Sequence, residues 1–340
     1  MEKPKVFTKL EETPQNAEKI DAFASGLKEL FLVEHPQLKS QKEVFEKEFG
    51  DFEKNNTIKG IWIYFPWSNK LVHTLPEELY FKLRTNRNRN VITEEEQQNY
   101  RNIKVGIAGL SVGSSVLHAL VMSGGPKTIK IADFDVLEIT NLNRIRAGLP
   151  DVGLNKTLIA ARQVWELDPF ADLYLWGDGL TADNLKDFIL SEPKLDIFID
   201  EMDSLDLKAA ARMICKKNKI PVLMATDNGD SVILDIERFD LEPDRPIFHG
   251  LVDPAVFSNM KNVDMKTWVD LANKIIGFDF LEERMKLSLL EIGKTILAVP
   301  QLGSTAAIAG GAISYAVREV ANKEELQSGK YAIGAREKKI

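Results

Sequence analysis

Ile103-Lys104-Val105-Gly106-Ile107-Ala108-Gly109-Leu110-Ser111-Val112-Gly113 is the stretch on which the fold turns. Its apolar half, 103–108, reads as a buried strand, residues 109–113 as a turn, and Ser114 to Met122 has helical spacing. A second strand, Thr128 to Ala132, ends on Asp133. Strand, glycine turn, helix and strand together open a nucleotide-binding unit. Beyond it come Asp133-Phe134-Asp135, Asn141-Leu142-Asn143-Arg144, Asp151-Val152-Gly153 and Asn155-Lys156. A dinucleotide-binding unit accounts for the first half only. The second half adds an amide and two cations, which suit a triphosphate better.

Outward from this stretch, strands and helices alternate, which predicts a Rossmann-like, doubly wound α/β fold with a mostly parallel sheet. Strands are expected at 103–108, 128–132, 172–176, 195–199 and 221–225. Helices are expected at 113–123, 155–167, 183–190 and 204–218. Ser231 to Glu237 and Ile247 to Leu251 read as an antiparallel extension of the sheet. Helical patterns follow at 264–276 and 279–292, and at Thr305 to Asn322. Upstream lies a small α+β region of different texture, with helical spacing from Lys19 to Val33 and an aromatic, strand-like run from Ile58 to Pro66. The expected division is an N-terminal region at 1–83, a nucleotide-binding domain at 84–255, and a helical part at 256–340 that completes the same domain.

Composition narrows the function classes. A hydrophobic share of 44% across 340 residues is ample for a core. A formal net charge of −7 argues against nucleic acid as a partner, since phosphate backbones recruit basic surfaces. The one cysteine, Cys215, excludes a disulfide framework and a thiolate zinc cage. It lies in an apolar helical stretch, as a packed core residue would. The most apolar segment, Ala306 to Val317, is shorter than a bilayer span, and the first residues are polar. A cytoplasmic protein without membrane or zinc is the expectation. His35, His73, His118 and His249 are scattered and form neither a metal site nor a triad.

Residue by residue, the signals differ in strength. In Ala108-Gly109-Leu110-Ser111-Val112-Gly113 only the last glycine is in register with a G-x-G-x-x-G loop, so the turn alone is as consistent with a plain βα connection. Ser111, Val112 and Gly113 still present backbone N–H groups to a phosphate at a helix start. Asp133, twenty residues after Gly113, has the spacing of a ribose-binding carboxylate, and also that of a strand-end cap. Asn141 and Arg144 are three apart and can face one pocket, Arg144 as a bidentate fork and Lys156 as a point charge; singly, each would pass for a surface residue. Asp200 and Asp203 follow a strand end, where a carboxylate can hold magnesium together with substrate phosphates. Asp203 is preferred, and a helix N-cap is its alternative role. Arg84, Arg87 and Arg89 form either a solvated linker or a source of one phosphate-reaching arginine.

The string from Ile103 to Lys156, with Asp200-Glu201-Met202-Asp203 beyond it, resembles the ThiF/MoeB/HesA adenylyltransferases, relatives of ubiquitin-activating enzymes. The resemblance covers about 85–255, with a weaker echo from Gly303 to Val320. It implies ATP-dependent activation of a carboxylate, the C-terminus of a peptide or of a ubiquitin-like or sulfur-carrier protein, as an acyl-adenylate with release of pyrophosphate. On this resemblance Asp133 holds the ribose, in an Asp133-x-Asp135 pair. Gly109, Ser111, Val112 and Gly113 line the phosphate loop, and Asn141, Arg144 and Lys156 contact phosphates. Asp203 binds magnesium, and Arg89 reaches the ATP of a partner subunit in a homodimer. Gly109-Leu110-Ser111-Val112-Gly113 is also similar to a subgroup associated with a nitroreductase-like domain. Ala108 and Leu110 depart from the family's usual glycines, and no cysteine follows residue 215 to form a thioester. Two other classes stay open on the residues: a non-catalytic nucleotide-binding scaffold, and an NAD(P)- or FAD-binding oxidoreductase.

Overall fold

The computed structural model describes residues 2–257 and 265–334, with side chains left undescribed at 265–269. The chain forms two compact units, one of residues 1–94 with 165–170, the other of residues 95–164 and 171–340.

The first unit contains β1 (Lys5–Phe7), β2 (Glu18–Asp21), α1 (Phe23–Glu34), α2 (Lys42–Asn55), β3 (Ile61–Phe65), β4 (Lys70–Thr74) and α3 (Glu77–Arg84). Its sheet has the order β1-β3-β4-β2. The helices close on an aromatic cluster in which Phe31, Leu38 and Phe45 are buried and Phe49 and Phe52 pack against them. Helical spacing from Lys19 does not produce a helix until Phe23. Residues 18–21 pair parallel with β4 instead, and the Asp21 carboxylate takes the Phe23 N–H at 2.9 Å, which sets the helix start.

In chain order the remaining elements are α4 (Glu94–Asn102), β5 (Lys104–Ala108), α5 (Val112–Met122), β6 (Thr128–Ala132), α6 (Lys156–Leu167), β7 (Asp172–Trp176), α7 (Leu185–Leu190), β8 (Ile197–Asp200), α8 (Leu205–Lys217), β9 (Val222–Asn228), β10 (Ser231–Glu237), α9 (Met265–Ile276), α10 (Glu283–Leu289), α11 (Gly303–Ala321) and β11 (Gly329–Gly334). The seven-stranded sheet runs β11-β10-β9-β8-β5-β6-β7. From β7 to β9 all pairings are parallel, and β10 and β11 are antiparallel additions. Val105, Ile107 and Ala108 of β5 are wholly buried, as expected for a central strand covered on both faces. The chain winds from β5 outward through β6 and β7, then restarts on the other side at β8. The carboxyl ends of β5 and β8 therefore flank a topological switch point, where open α/β sheets bind ligands.

The parallel sheet and the first antiparallel strand, Ser231–Glu237, fall where the sequence placed them; the outer antiparallel strand does not. Ile247 to Leu251 is not a strand, because residues 247–250 form a 3₁₀ turn with Phe248 and His249 at φ of 52° and 57°. Buried carboxylates on β10 hold that turn: Glu237 accepts the Phe248 N–H at 2.6 Å and Asp235 pairs with His249 at 2.7 Å. The outer strand comes instead from β11, some ninety residues later, paired along all of its length with β10. The expected helix at 279–292 is shorter, a 3₁₀ turn at 278–280 followed by α10. Residue 264, the expected start of another helix, lies outside the described residues.

Two contacts fix the ligand-facing end of the sheet. Gly310 of α11 lies so close to α5 that a Cβ would stand 2.6 Å from the Ser115 carbonyl oxygen, so α11 braces α5 along its length. Beneath β8, the fully buried Arg212 of α8 pairs with both Asp200 and Glu237, and its guanidinium stacks on Phe248 at 4.3 Å. Lys208 adds a second cation 3.1 Å from Asp200. Removing one partner of a buried ion set strands the others in low dielectric. Arg212→Ala is therefore expected to lower unfolding stability by about 3–5 kcal/mol, read by guanidinium denaturation.

Candidate functional site

Every residue of this site belongs to the second unit. Its base is the turn between β5 and α5. Gly109 has φ of +91°, and a Cβ there would meet the Glu201 carbonyl oxygen at 2.2 Å, so the turn needs glycine twice over. The Gly109 N–H donates to the Ala132 carbonyl at 2.8 Å, and the Leu110 N–H to Asp133 Oδ2 at 2.6 Å. Ser111 then stands at the N-cap of α5, whose first turn begins with Val112 and Gly113. First-turn amides lack partners inside a helix, which gives this end its affinity for anions. The departure at Leu110 is thereby explained: its side chain is wholly buried, while its amide braces the turn.

Asp133 accepts from Leu110 and, through Oδ1, from the Asp135 N–H at 2.8 Å. Burial pushes its pKa up; Lys156 and the two N–H donors oppose that. Asp133 is thus a brace of the glycine turn, and the lone pairs it keeps face the same loop. Asp135 pairs with Lys156 Nζ at 2.7 Å, while the Lys156 N–H bonds the Asp135 carbonyl at 2.9 Å. Lys156, 7% exposed at the start of α6, is therefore held in place from both ends.

Asn141 is buried in a 3₁₀ turn, where its Oδ1 accepts the Glu138 N–H at 3.1 Å. One turn on, Arg144 reaches across to the glycine loop. Its Nε donates to Ser111 Oγ at 3.0 Å, and Nη1 donates to the Thr140 carbonyl at 3.2 Å and to Asn143 Oδ1 at 3.0 Å. Burial lowers the pKa of Arg144, while Asp227 and Asp203 pull it back up. Arg144 thus sits in the field of two carboxylates, neither of which it bonds. The fold brings Gly109, Ser111, Val112, Gly113, Asp133, Asp135, Asn141, Arg144 and Lys156 to one end of the sheet.

The two acidic residues after β8 diverge. Asp200 is wholly buried; burial opposes its ionisation, but Lys208 and Arg212 outweigh that and hold its pKa below the ordinary carboxylate range. Its oxygens are committed to Lys208 and Arg212 and to the Met202 N–H at 3.2 Å, which leaves it structural. Asp203 is exposed, just before α8. It is not the cap: Ser204 holds the N-cap position, and its hydroxyl turns to Asp206. Arg89 is exposed in the first unit, in a turn that Asn90 continues at φ of +72°. Arg84 is neither a solvated linker residue nor a phosphate ligand, being paired with Asp168 at 3.0 Å. Cys215 is fully buried, and burial pushes its thiol pKa up, so it offers no nucleophile.

Sequence reading missed three residues here. Glu201 turns its side chain inward, where Oε1 accepts the Ala225 N–H at 2.9 Å, and burial raises its pKa well above the usual range. Gln301, just ahead of α11, takes a bond from Ser111 Oγ at 3.3 Å on its side chain and one from Asn143 Nδ2 at 2.7 Å on its carbonyl. Asp227, near the end of β9, is 7% exposed, and its oxygens accept no well-formed hydrogen bond, although the Gln301 side-chain amide approaches them. Burial pushes its pKa up to about 6, against the pull of Arg144 and Gln301. The strand-end rule that singled out Asp203 would also have pointed to Asp227. Glu201 shares that strand-end position between Asp200 and Asp203, and Gln301 carries no comparable sequence signal.

With this geometry in view, comparison with known proteins is decisive at the family level. Residues 85–331 match the ThiF family. The chain belongs to that family. An uncharacterized protein of Mycobacterium tuberculosis is 36% identical over 272 residues, 80% of this chain and 37% of that protein. The tRNA threonylcarbamoyladenosine dehydratase of Escherichia coli is 33% identical over 129 residues, 38% of this chain and 46% of that protein. This ThiF chain thus spans less than half the length of either relative. Among solved structures, E. coli MccB with ATP superposes with a TM-score of 0.51 at 18% identity, over 76% of this chain and 67% of that one, which shows a shared fold. Among the described residues, no helix is long and apolar enough to cross a membrane.

Asp227 gives a pH test of the site. Its pKa is about 6 in the folded chain against an ordinary 3.8, so the folded state binds the proton more tightly. A raised carboxyl weakens the fold fully above about pH 6 and not at all below about pH 4. Asp227→Asn should therefore be more stable than wild type at pH 7.5, by up to ~3 kcal/mol. The gain should vanish near pH 4. Denaturant midpoints at the two pH values check this, and a variant less stable at pH 7.5 would contradict it.

Proposed function

We propose that this ThiF-family chain is an ATP-dependent adenylyltransferase that activates a carboxylate as an acyl-adenylate. The observation that carries the reading is Arg144, bonded to Ser111 at the N-cap of α5, with Lys156 buried beside Asp133, which braces the same loop. Such an arrangement offers helix amides, a guanidinium fork and an ammonium to one chain of phosphates. Hydride transfer has no use for these two cations.

In this reading the phosphates run along the first turn of α5, the ribose lies by Asp133, and Asn141, Arg144 and Lys156 meet phosphate oxygens. One oxygen of the incoming carboxylate bonds to the α-phosphorus as the bond to the bridging oxygen breaks. Pyrophosphate leaves with that electron pair, and no proton need move. Arg144 and Lys156 stabilise the charge that grows on the departing oxygens. Asp203 is exposed and free of the buried ion set, and one such carboxylate with substrate phosphates is what magnesium takes. When bound there, magnesium would neutralise charge shared between the α- and β-phosphates.

Cys215 is closed in, so the adenylate passes directly to an outside nucleophile rather than to a thioester on the described fold. The E. coli relative is a tRNA threonylcarbamoyladenosine dehydratase, and E. coli MccB has been solved with ATP. The C-terminus of a peptide or ubiquitin-like protein is the donor that the family resemblance favours. A homodimer in which Arg89 serves the neighbouring site belongs to the same proposal, as does a nitroreductase-like partner domain.

ATP–pyrophosphate exchange tests the reading, with magnesium and a carboxylate extract of the source cell. Wild type should exchange, and Asp203→Ala and Arg144→Ala should each lose about 100-fold or more, the scale of a lost transition-state donor. Unchanged exchange in Arg144→Ala would remove the phosphate role.

A further inference from the structure

Asp227 is the site's one described side chain that the fold buries without a well-formed hydrogen bond. Such a carboxylate costs stability unless a partner arrives. Its surroundings supply only the neutral side-chain amide of Gln301, which approaches without a well-formed hydrogen bond. Arg144, whose charge acts on it, bonds Ser111, Thr140 and Asn143 through Nε and Nη1 and makes no bond to Asp227. Asn228, the next residue, is by contrast tied to Ser231, Phe280 and Glu282, so β9 is well anchored and Asp227 is held in place. Glu201 lies on the same side and feels the charge of Asp227. Asp227 therefore gives this corner of the site an acidic character, within the field of Arg144.

We propose that Asp227 receives a positively charged nitrogen of the substrate, one lying close to the carboxylate that is activated. The inference rests on the adenylation reading and deepens it. Once triphosphate oxygens occupy Arg144, its charge no longer offsets Asp227, and the balancing cation must come with the other reactant. A neutral amide N–H could fill one lone pair but would leave the acidic corner uncompensated; an ammonium or guanidinium does both. Gln301 is placed to admit it. The Gln301 backbone is pinned by Asn143 at 2.7 Å, whereas its side chain is held to Ser111 by one long bond of 3.3 Å and can swing aside from Asp227. The substrate class is thus a carboxylate with its own nearby cation, as in a free amino acid or a chain ending in a basic residue. A chain ending in glycines lacks it.

The test is ATP–pyrophosphate exchange by wild type and Asp227→Asn with three sets of probes, alongside calorimetric ATP affinity. The first set is free amino acids, the second short peptides ending in Gly-Lys, and the third N-acetyl glycine with peptides ending in Gly-Gly. At least one charged set should drive exchange about tenfold or more better than the third, the size a hydrogen bond to a charged group confers. Which set wins separates a free amino acid from a chain end. In Asp227→Asn that preference should collapse to within about twofold, through KM, with ATP affinity unchanged. Equal use of the third set, or a preference retained in Asp227→Asn, would overturn the proposal. So would ATP binding with no exchange from any probe, which leaves the nucleotide reading standing. Absence of ATP binding would remove the basis of both.

Discussion

A guanidinium with no contact to water, that of Arg212, is clamped between Asp200 at the end of β8 and Glu237 on β10. Its hold on Asp200 is passed along the chain. Asp200 also takes the Met202 N–H, which bends the backbone after β8 and presents the Glu201 carbonyl to Gly109. The Glu201 N–H in turn bonds the Ala108 carbonyl at 2.8 Å, so the end of β8 and the glycine turn are locked as one piece. The left-handed backbone at Gly109 then sets the direction of α5 and the height of its first amides. Buried ion sets of this kind are poor sources of net stability, since desolvation opposes the Coulomb attraction. Here the return is geometric, because charges so tightly partnered permit one arrangement.

The working charges are held differently. Lys156 is fastened to Asp135 by both its ammonium and its backbone, and Arg144 is fixed by a serine, a carbonyl and an amide oxygen. The partners of Arg144 are neutral and set its position without cancelling its charge, whereas the Asp135 carboxylate partly offsets that of Lys156. Asp227 is the inverse case, a charge positioned but left unanswered.

Much of this could be read from the chain alone, and the parts that could differ in kind from those that could not. Val105 to Ala108 and Thr128 to Ala132 announce themselves because a buried parallel strand is an unbroken apolar run. The polar string from Asp133 to Lys156 was legible because its residues lie in one crossover and meet through local turns. Long-range pairings were not. Whether Ile247–Leu251 or Gly329–Gly334 extends the sheet depends on which segment satisfies the β10 edge, and the buried carboxylates Asp235 and Glu237 divert the nearer one into a turn. Asp200 and Asp203 look alike as letters; only Arg212, arriving from α8, tells the structural carboxylate from the free one. Glu201 escaped because the strand-end reading settled on its neighbours Asp200 and Asp203, and Gln301 because nothing around it marks a strand end or a motif.

The bond between Ser111 and Gln301 joins residues 190 positions apart, and α11 behind Gln301 is what steadies α5. During synthesis the glycine loop therefore leaves the ribosome long before the helix that supports it. A nascent chain can assemble its parallel strands early, yet the anion-facing turn of α5 stays unsupported until residues beyond 303 have emerged. A chain stalled or cut ahead of α11 would keep most of its sheet and have no finished place for a phosphate.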